Sequence, residues 1–197
     1  MIAVFDYGAG NIRSVQNTLG EIGAQYTVVE DAEGLRAATK IILPGVGHFG
    51  QLIRSLDAMR VRAALLECID EGVPFLGICL GLQALFESSE EAPEVAGLGR
   101  FAGTVKRFPV GARVPHMGWN EIEPLRESRL LAGIGPKPYV YFAHSYYVPV
   151  CEAASATCAY GEPFTAVLEA GNIFGVQFHP EKSGPLGLMI VKNFVEI

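Results

Sequence analysis

The chain has 197 residues, of which 50% are hydrophobic and 18% charged, so it can bury a sizeable core without disulfide staples and is too apolar to be disordered. Its 15 Lys+Arg against 21 Asp+Glu leave a net charge of −6, with no basic block beyond pairs such as Lys106-Arg107, which argues against nucleic acid as a partner. The longest apolar stretch, Val73 to Phe86, is broken by Pro74, Gly77, Gly81 and Gln83, and the opening MIAVFDYG lacks a basic start, so neither a membrane span nor a signal peptide is expected.

In chain order, the first half alternates strand and helix. Ile2 to Phe5 is a short apolar strand ending in the turn Asp6 to Gly10, with Asn11 in the place of a helix N-cap. Ile12, Val15, Leu19 and Ile22 share one helical face, closed by Gly23. Tyr26 to Val29 and Lys40 to Leu43 read as strands, the second stopped by Pro44-Gly45. Val61, Leu65, Leu66 and Ile69 form a second amphipathic helix, Val73 to Ile78 a buried strand, and Leu80 to Ser88 a helix. Ser88 to Glu94 reads as an exposed loop.

The second half carries strands at Phe101 to Phe108, Glu121 to Leu125, Tyr139 to Val148, Ala154 to Tyr160, Thr165 to Glu169 and Ile173 to Phe178. Short turns between them favour antiparallel pairing, and the helix Leu186 to Val195 ends the pattern. The expected architecture is a single α/β domain over 1–197, with a mixed, mostly parallel central sheet flanked by helices.

Gly77-Ile78-Cys79-Leu80-Gly81 lies where a buried strand meets a helix, the setting of a nucleophile elbow. There Cys79 sits at a helix N-terminus, whose free N–H groups and dipole favour a thiolate, and the amide of Leu80 is the natural first oxyanion donor. Of the four histidines, His48, His116, His144 and His179, the last is best placed as the base. It follows an apolar strand and precedes Pro180, which holds it extended and puts Glu181 on its side of the chain to orient the ring. Chance alone would produce both motifs at strand ends on the order of once in a thousand such sequences. The other cysteines, Cys68, Cys151 and Cys158, fit no zinc spacing and read as inert thiols in a reducing cytoplasm. Pro44-Gly45-Val46-Gly47 is either a plain strand-to-helix turn or the source of a second oxyanion donor, the Val46 amide, presented by a peptide flip that flanking glycines permit.

Gly77 to Gln83 and Gln177-Phe178-His179-Pro180-Glu181 resemble the two signatures of the class I glutamine amidotransferases, whose fold is flavodoxin-like. Asp6 to Asn11, Pro44 to Gly47, Pro115-His116-Met117-Gly118-Trp119-Asn120, Tyr141 to Tyr146 and Glu181-Lys182-Ser183 are similar to segments of the glutaminase subunits of imidazole glycerol phosphate synthases. The resemblance implies hydrolysis of glutamine to glutamate and ammonia by Cys79, His179 and Glu181 through a thioester, without metal or cofactor. It further implies that Gly47, Gln83, Ser145 and Tyr146 hold the substrate. Ammonia would pass to a (β/α)₈-barrel cyclase subunit, faced by Asn11, Pro115, Met117, Trp119 and Tyr141, which makes imidazole glycerol phosphate and an aminoimidazole-carboxamide ribotide for histidine biosynthesis. Core packing is the competing account of Trp119. The rival readings are a glutaminase serving another synthase, such as those making pyridoxal phosphate, anthranilate or GMP, a cysteine hydrolase with no partner, and a non-enzymatic binding module.

Overall fold

The computed structural model describes residues 1–8 and 11–197, so the Ala9-Gly10 part of the first turn lies outside the described residues. The strands β1 (Ile2–Phe5), β2 (Tyr26–Val29), β3 (Lys40–Gly45) and β4 (Phe75–Cys79) are joined through the helices α1 (Ile12–Glu21), α2 (Ala32–Arg36), α3 (Phe49–Ala58) and α4 (Arg62–Asp70). A four-residue helix α5 (Leu80–Gln83) follows, then β5 (Phe86–Ser89), β6 (Phe101–Arg107), β7 (His116–Glu121), β8 (Glu123–Pro124), β9 (Tyr139–His144) and β10 (Tyr146–Tyr147). The chain ends with β11 (Ala154–Tyr160), β12 (Glu162–Ala170), β13 (Ile173–Val176), a 3₁₀ turn at Pro180–Lys182 and α6 (Gly184–Glu196).

Eight strands make the central sheet in the order β2-β1-β3-β4-β13-β12-β11-β8. The first five are parallel and the last three antiparallel, the mixed sheet expected. Alternation along the strands divides the core in two. Ile2, Val4, Leu76 and Ile78 pack with α1 and α6, while Ala3, Phe5 and Phe75 pack with α2 to α4. Each fully buried Phe or Leu contributes roughly 1.5–3 kcal/mol.

Several boundaries differ from the sequence reading. Asn11 occupies the N-cap position of α1, but its Oδ1 accepts from the Ser14 hydroxyl (2.8 Å) rather than from a helix N–H. Pro44-Gly45 does not stop β3: Pro44 and Gly45 pair in parallel with Ile78 and Cys79. The pairing of β3 with β1 ends at Ile42, so Pro44 has no ladder bond to forfeit on that side. The helix expected over Leu80 to Ser88 is only one turn. The carbonyls of Ala84 and Leu85, which would carry it on, accept instead from Leu98 (2.8 Å), Arg100 (2.8 Å) and Phe101 (3.1 Å), and β5 then pairs with β6 in parallel.

Ser88 to Glu94 is not a loose loop, since Ser89 and Ala92 are buried and Glu91 accepts the N–H of Phe49 at the start of α3 (2.7 Å). The span Glu121 to Leu125 bends at buried Ile122 and serves two sheets, β7 pairing with β9 and β8 with β11. The strand expected over Tyr139 to Val148 is interrupted at Ser145. Helix α3, passed over in the sequence reading, carries its signal plainly: Phe49, Leu52, Ile53 and Leu56 are one buried stripe.

Candidate active site

The register of three neighbouring parallel strands assembles the site. Gly45 lies opposite Cys79, and Val176 opposite Ile78, so β3, β4 and β13 end together. The segments that leave them carry Val46, Leu80 and His179 to the C-terminal ends of these central strands, where open α/β sheets place their ligands.

Cys79 holds the turn between β4 and α5 with φ 52°, a left-handed conformation that a cysteine rarely adopts. The crossing is tight enough to require glycine. A Cβ on Gly77 would stand 2.5 Å from the Gly81 carbonyl oxygen, one on Gly45 would stand 2.7 Å from the Gly81 amide, and one on Gly81 would strike the Leu43 carbonyl. This backbone contact lets α5 begin at the sulfur, with the N–H of Leu80 among the donors that no helix carbonyl satisfies.

His179 follows β13, its N–H donating to the Tyr141 carbonyl (2.8 Å), and Ser183 ties the same segment down by donating to the His179 carbonyl (2.7 Å). Its Nδ1 lies 2.8 Å from Glu181 Oε1, with both side chains only 3% exposed. The second oxygen of Glu181 is buried with no partner among the described residues, so the His179 ring is the group that answers this carboxyl. Burial works against charge on the His179 ring, but the adjoining Cys79 sulfur and then Glu181 outweigh it and raise its pKa to about 10. Cys79, His179 and Glu181 therefore form a buried array in which the sulfur and the carboxylate both favour charge on the ring.

A cleft of about 260 Å³ opens over Cys79, walled by Val46, Gly47, Leu80, Gln83, Ser145 and Tyr146 together with Pro115, Met117 and Glu91. All four residues expected to hold substrate thus lie on it. Pro115 and Met117, expected at a partner face, line its mouth. The Val46 amide, expected as a second oxyanion donor, is committed elsewhere: it donates to the Tyr7 hydroxyl (3.1 Å), which donates back to the Val46 carbonyl (3.1 Å). Burial, ahead of charge effects, raises that hydroxyl to about 12, so it stays protonated. Trp119 and Met117 are exposed, at 56% and 64%, and Trp119 meets Tyr141 edge-on with ring centroids 6.1 Å apart. Trp119 is therefore not core. Asn11 is half-buried at the start of α1.

The sequence reading missed Gln177, whose Nε2 lies 3.5 Å from the Cys79 sulfur, and Glu91. Gln177 was legible as part of the His-Pro-Glu signature; Glu91 carried no signal. A larger depression of about 970 Å³ lies across Pro124 to Pro136, away from Cys79. Its arginines are committed to structure, Arg129 to Glu169 (2.6 Å) and Arg126 to the Ala153 carbonyl (3.0 Å). None of the four cysteines is in a disulfide. Burial raises Cys68, and raises Cys158 to about 12. Among the described residues no cluster of three or more His, Cys, Asp or Glu is placed to hold a metal, and no helix is long and apolar enough to cross a membrane.

The family model of class I glutamine amidotransferases matches residues 3–197. The chain belongs to the class I glutamine amidotransferases. The amidotransferase is 48% identical over 198 residues to the imidazole glycerol phosphate synthase subunit HisH of Methanothermobacter thermautotrophicus, covering 100% of this chain and 98% of that protein. It is 47% identical to the protein of the same description from Moorella thermoacetica, covering 100% of this chain and 94% of that one. Among solved structures, one described as a glutamine amidotransferase superposes with a TM-score of 0.78 at 20% identity, covering 99% of this chain and 97% of that one, a likeness of fold.

Two other histidines of the amidotransferase contribute to its stability toward acid. His116 stacks between Tyr160 (centroids 3.9 Å) and Phe142 (4.7 Å), and its Nδ1 lies 3.1 Å from His144 Nε2. Burial lowers His116 from 6.5 to about 4 and His144 to about 3. The unfolded chain takes up these protons as pH falls through 6.5, while the folded chain resists until about 4 and 3, so the stabilisation is present above pH 6.5 and lost below it. Urea midpoints at pH 7 and pH 5 test this: His116→Gln narrows the gap between them, and an unchanged gap contradicts the assignment.

Proposed function

We propose that the protein is the glutaminase subunit of an imidazole glycerol phosphate synthase and delivers ammonia to a (β/α)₈-barrel cyclase subunit in the cytoplasm. The observation that carries this reading is the buried Cys79–His179–Glu181 array at the C-terminal ends of the central strands, in a chain nearly half identical over its full length to proteins of that description.

Glutamine enters the cleft between Gly47, Gln83, Ser145 and Tyr146. The Cys79 sulfur attacks the side-chain amide carbon, and the developing oxyanion is met by the Leu80 N–H. The proton on His179 passes to the amide nitrogen, the C–N bond breaks and ammonia leaves a glutamyl thioester. His179, now neutral, takes a proton from water, whose oxygen attacks the thioester; the C–S bond breaks, glutamate leaves and the sulfur returns to its imidazolium partner. Glu181 orients His179 throughout. Asn11, Pro115, Met117, Trp119 and Tyr141 form the face toward the cyclase, with exposed Trp119 as an anchor. No metal or cofactor takes part.

The Val46 amide is the second oxyanion donor once it leaves Tyr7, and partner binding drives that turn. Tyr7→Phe removes its acceptor, and glutaminase activity without the partner rises about fivefold, the loss of roughly one net hydrogen bond, with less further activation. An unchanged partner-free rate removes Val46 from the oxyanion site.

Glutamate release from glutamine, measured with and without the cyclase subunit and its nucleotide ligand, tests the whole reading. Strong dependence on both supports it. A partner-independent rate, or activation only by a different synthase, overturns it.

A further inference from the structure

Behind the cleft wall runs an unbroken hydrogen-bonded series that ties the substrate wall to His116, His144 and Gln177, three side chains the reaction scheme above does not use. Tyr146 presents its carbonyl to two donors, Gln83 Nε2 (2.8 Å) and His144 Nδ1 (2.8 Å). His144 must therefore carry its proton on Nδ1, which makes Nε2 an acceptor, filled by His116 Nδ1 (3.1 Å). His116 Nε2 in turn accepts from Asn120 Nδ2 (3.3 Å). The Tyr146 carbonyl is thus pinned from one side by neutral rings. Gln83 Nε2 has a second hydrogen, and it points to Gln177 Oε1 (3.0 Å). That leaves one orientation for the Gln177 amide, with Nε2 toward the Cys79 sulfur at 3.5 Å. The flipped amide would set two NH₂ groups against each other and a carbonyl oxygen against a thiolate.

Gln177 is fully buried, so its amide has no water to turn to, and its backbone is fixed by donation to the Ala166 carbonyl (2.9 Å). We propose that Gln177 is a positioning residue for the nucleophile, its side-chain amide donating to the Cys79 sulfur while its carbonyl is held by Gln83, so that the substrate wall and the sulfur are aimed as one unit. This rests on Cys79 being the nucleophile. The donor stabilises charge on sulfur before attack and again when the sulfur is expelled from the thioester. The other titratable groups near the sulfur are His179, backed by Glu181, together with Tyr7, Glu91 and His144, and none of them occupies the position of the Gln177 amide.

The test is the pH profile of iodoacetamide alkylation of Cys79 in the full chain, followed on its own peptide by mass spectrometry. Gln177→Met keeps the volume and removes the donor. Gln177→Glu keeps the acceptor for Gln83 but turns an oxygen to the sulfur. Both profiles move to higher pH, with alkylation at pH 7 slowed about tenfold in Gln177→Met and more in Gln177→Glu. In the complex kcat falls while KM changes little. Profiles coinciding with the wild type in folded variants overturn the proposal, as does a KM rise at unchanged kcat. Should Gln177→Met not fold, Gln177→Glu decides alone, by the same criterion. Slow, unselective alkylation of Cys79 in the unaltered chain would instead remove the nucleophile assignment itself, an outcome separable from failure of the Gln177 role.

Discussion

Cys79→Ala lowers glutamate release by the assembled synthase at least about ten-thousand-fold, while the cyclase reaction supplied with ammonium salt continues at its normal rate. The magnitude is that of removing the proposed nucleophile from the proposed triad, whose members act as a unit and leave a residual rate from binding and oxyanion stabilisation alone. The split between glutamine-dependent and ammonia-dependent rates is the informative part. The sulfur sits at the bottom of a cleft in this chain, and the face carrying exposed Trp119 does not depend on it. Alanine tolerates the backbone at residue 79 no worse than cysteine, since both carry a Cβ at φ 52°, so the variant folds and assembles. A residual glutaminase rate above about one per cent would show that Cys79 does not form the covalent intermediate.

Gly81→Ala destabilises the chain by at least about 3 kcal/mol and removes the glutaminase activity with it. The new methyl points at the backbone carbonyl of Leu43, in the middle of the sheet, with no flexible side chain to yield. Relief requires α5 to move off β3, which opens the Gly45–Gly81 and Gly77–Gly81 approaches and carries the N-terminus of α5 away from the sulfur. Gly20→Ala is the contrast: nothing stands within 4 Å of its Cβ, it lies in the last turn of α1, and it stabilises by roughly 0.5 kcal/mol. Urea denaturation of both variants measures the difference. A loss below about 1 kcal/mol for Gly81→Ala would mean that the elbow does not depend on this backbone contact.

Much of the local structure was legible in residue order. The apolar runs at Ile2–Phe5, Tyr26–Val29 and Ala154–Tyr160 are strands as read, and α1 buries the face its spacing defines. The α5 boundary was not legible. Leu80 to Ser88 has helical spacing, but the carbonyls of Ala84 and Leu85 are taken by a segment more than ten residues further along. The exposed-loop reading of Ser88 to Glu94 failed for a similar reason, since a polar segment can be held by one distant N–H, here that of Phe49.

Residue order by itself determined the chemical inventory: a cysteine between glycines at a strand–helix junction, and a histidine held extended by a proline with a glutamate two places on. It determined the parallel half of the sheet through its alternation of apolar runs. Only the tertiary structure decided which groups meet. The pairing of β13 with β4 brings residues 79 and 179 together, the Tyr7 hydroxyl claims the Val46 amide, and Gln177 reaches the sulfur. Those contacts join positions up to a hundred residues apart. They depend on strand order and on where each strand ends, and local spacing carries no information about either.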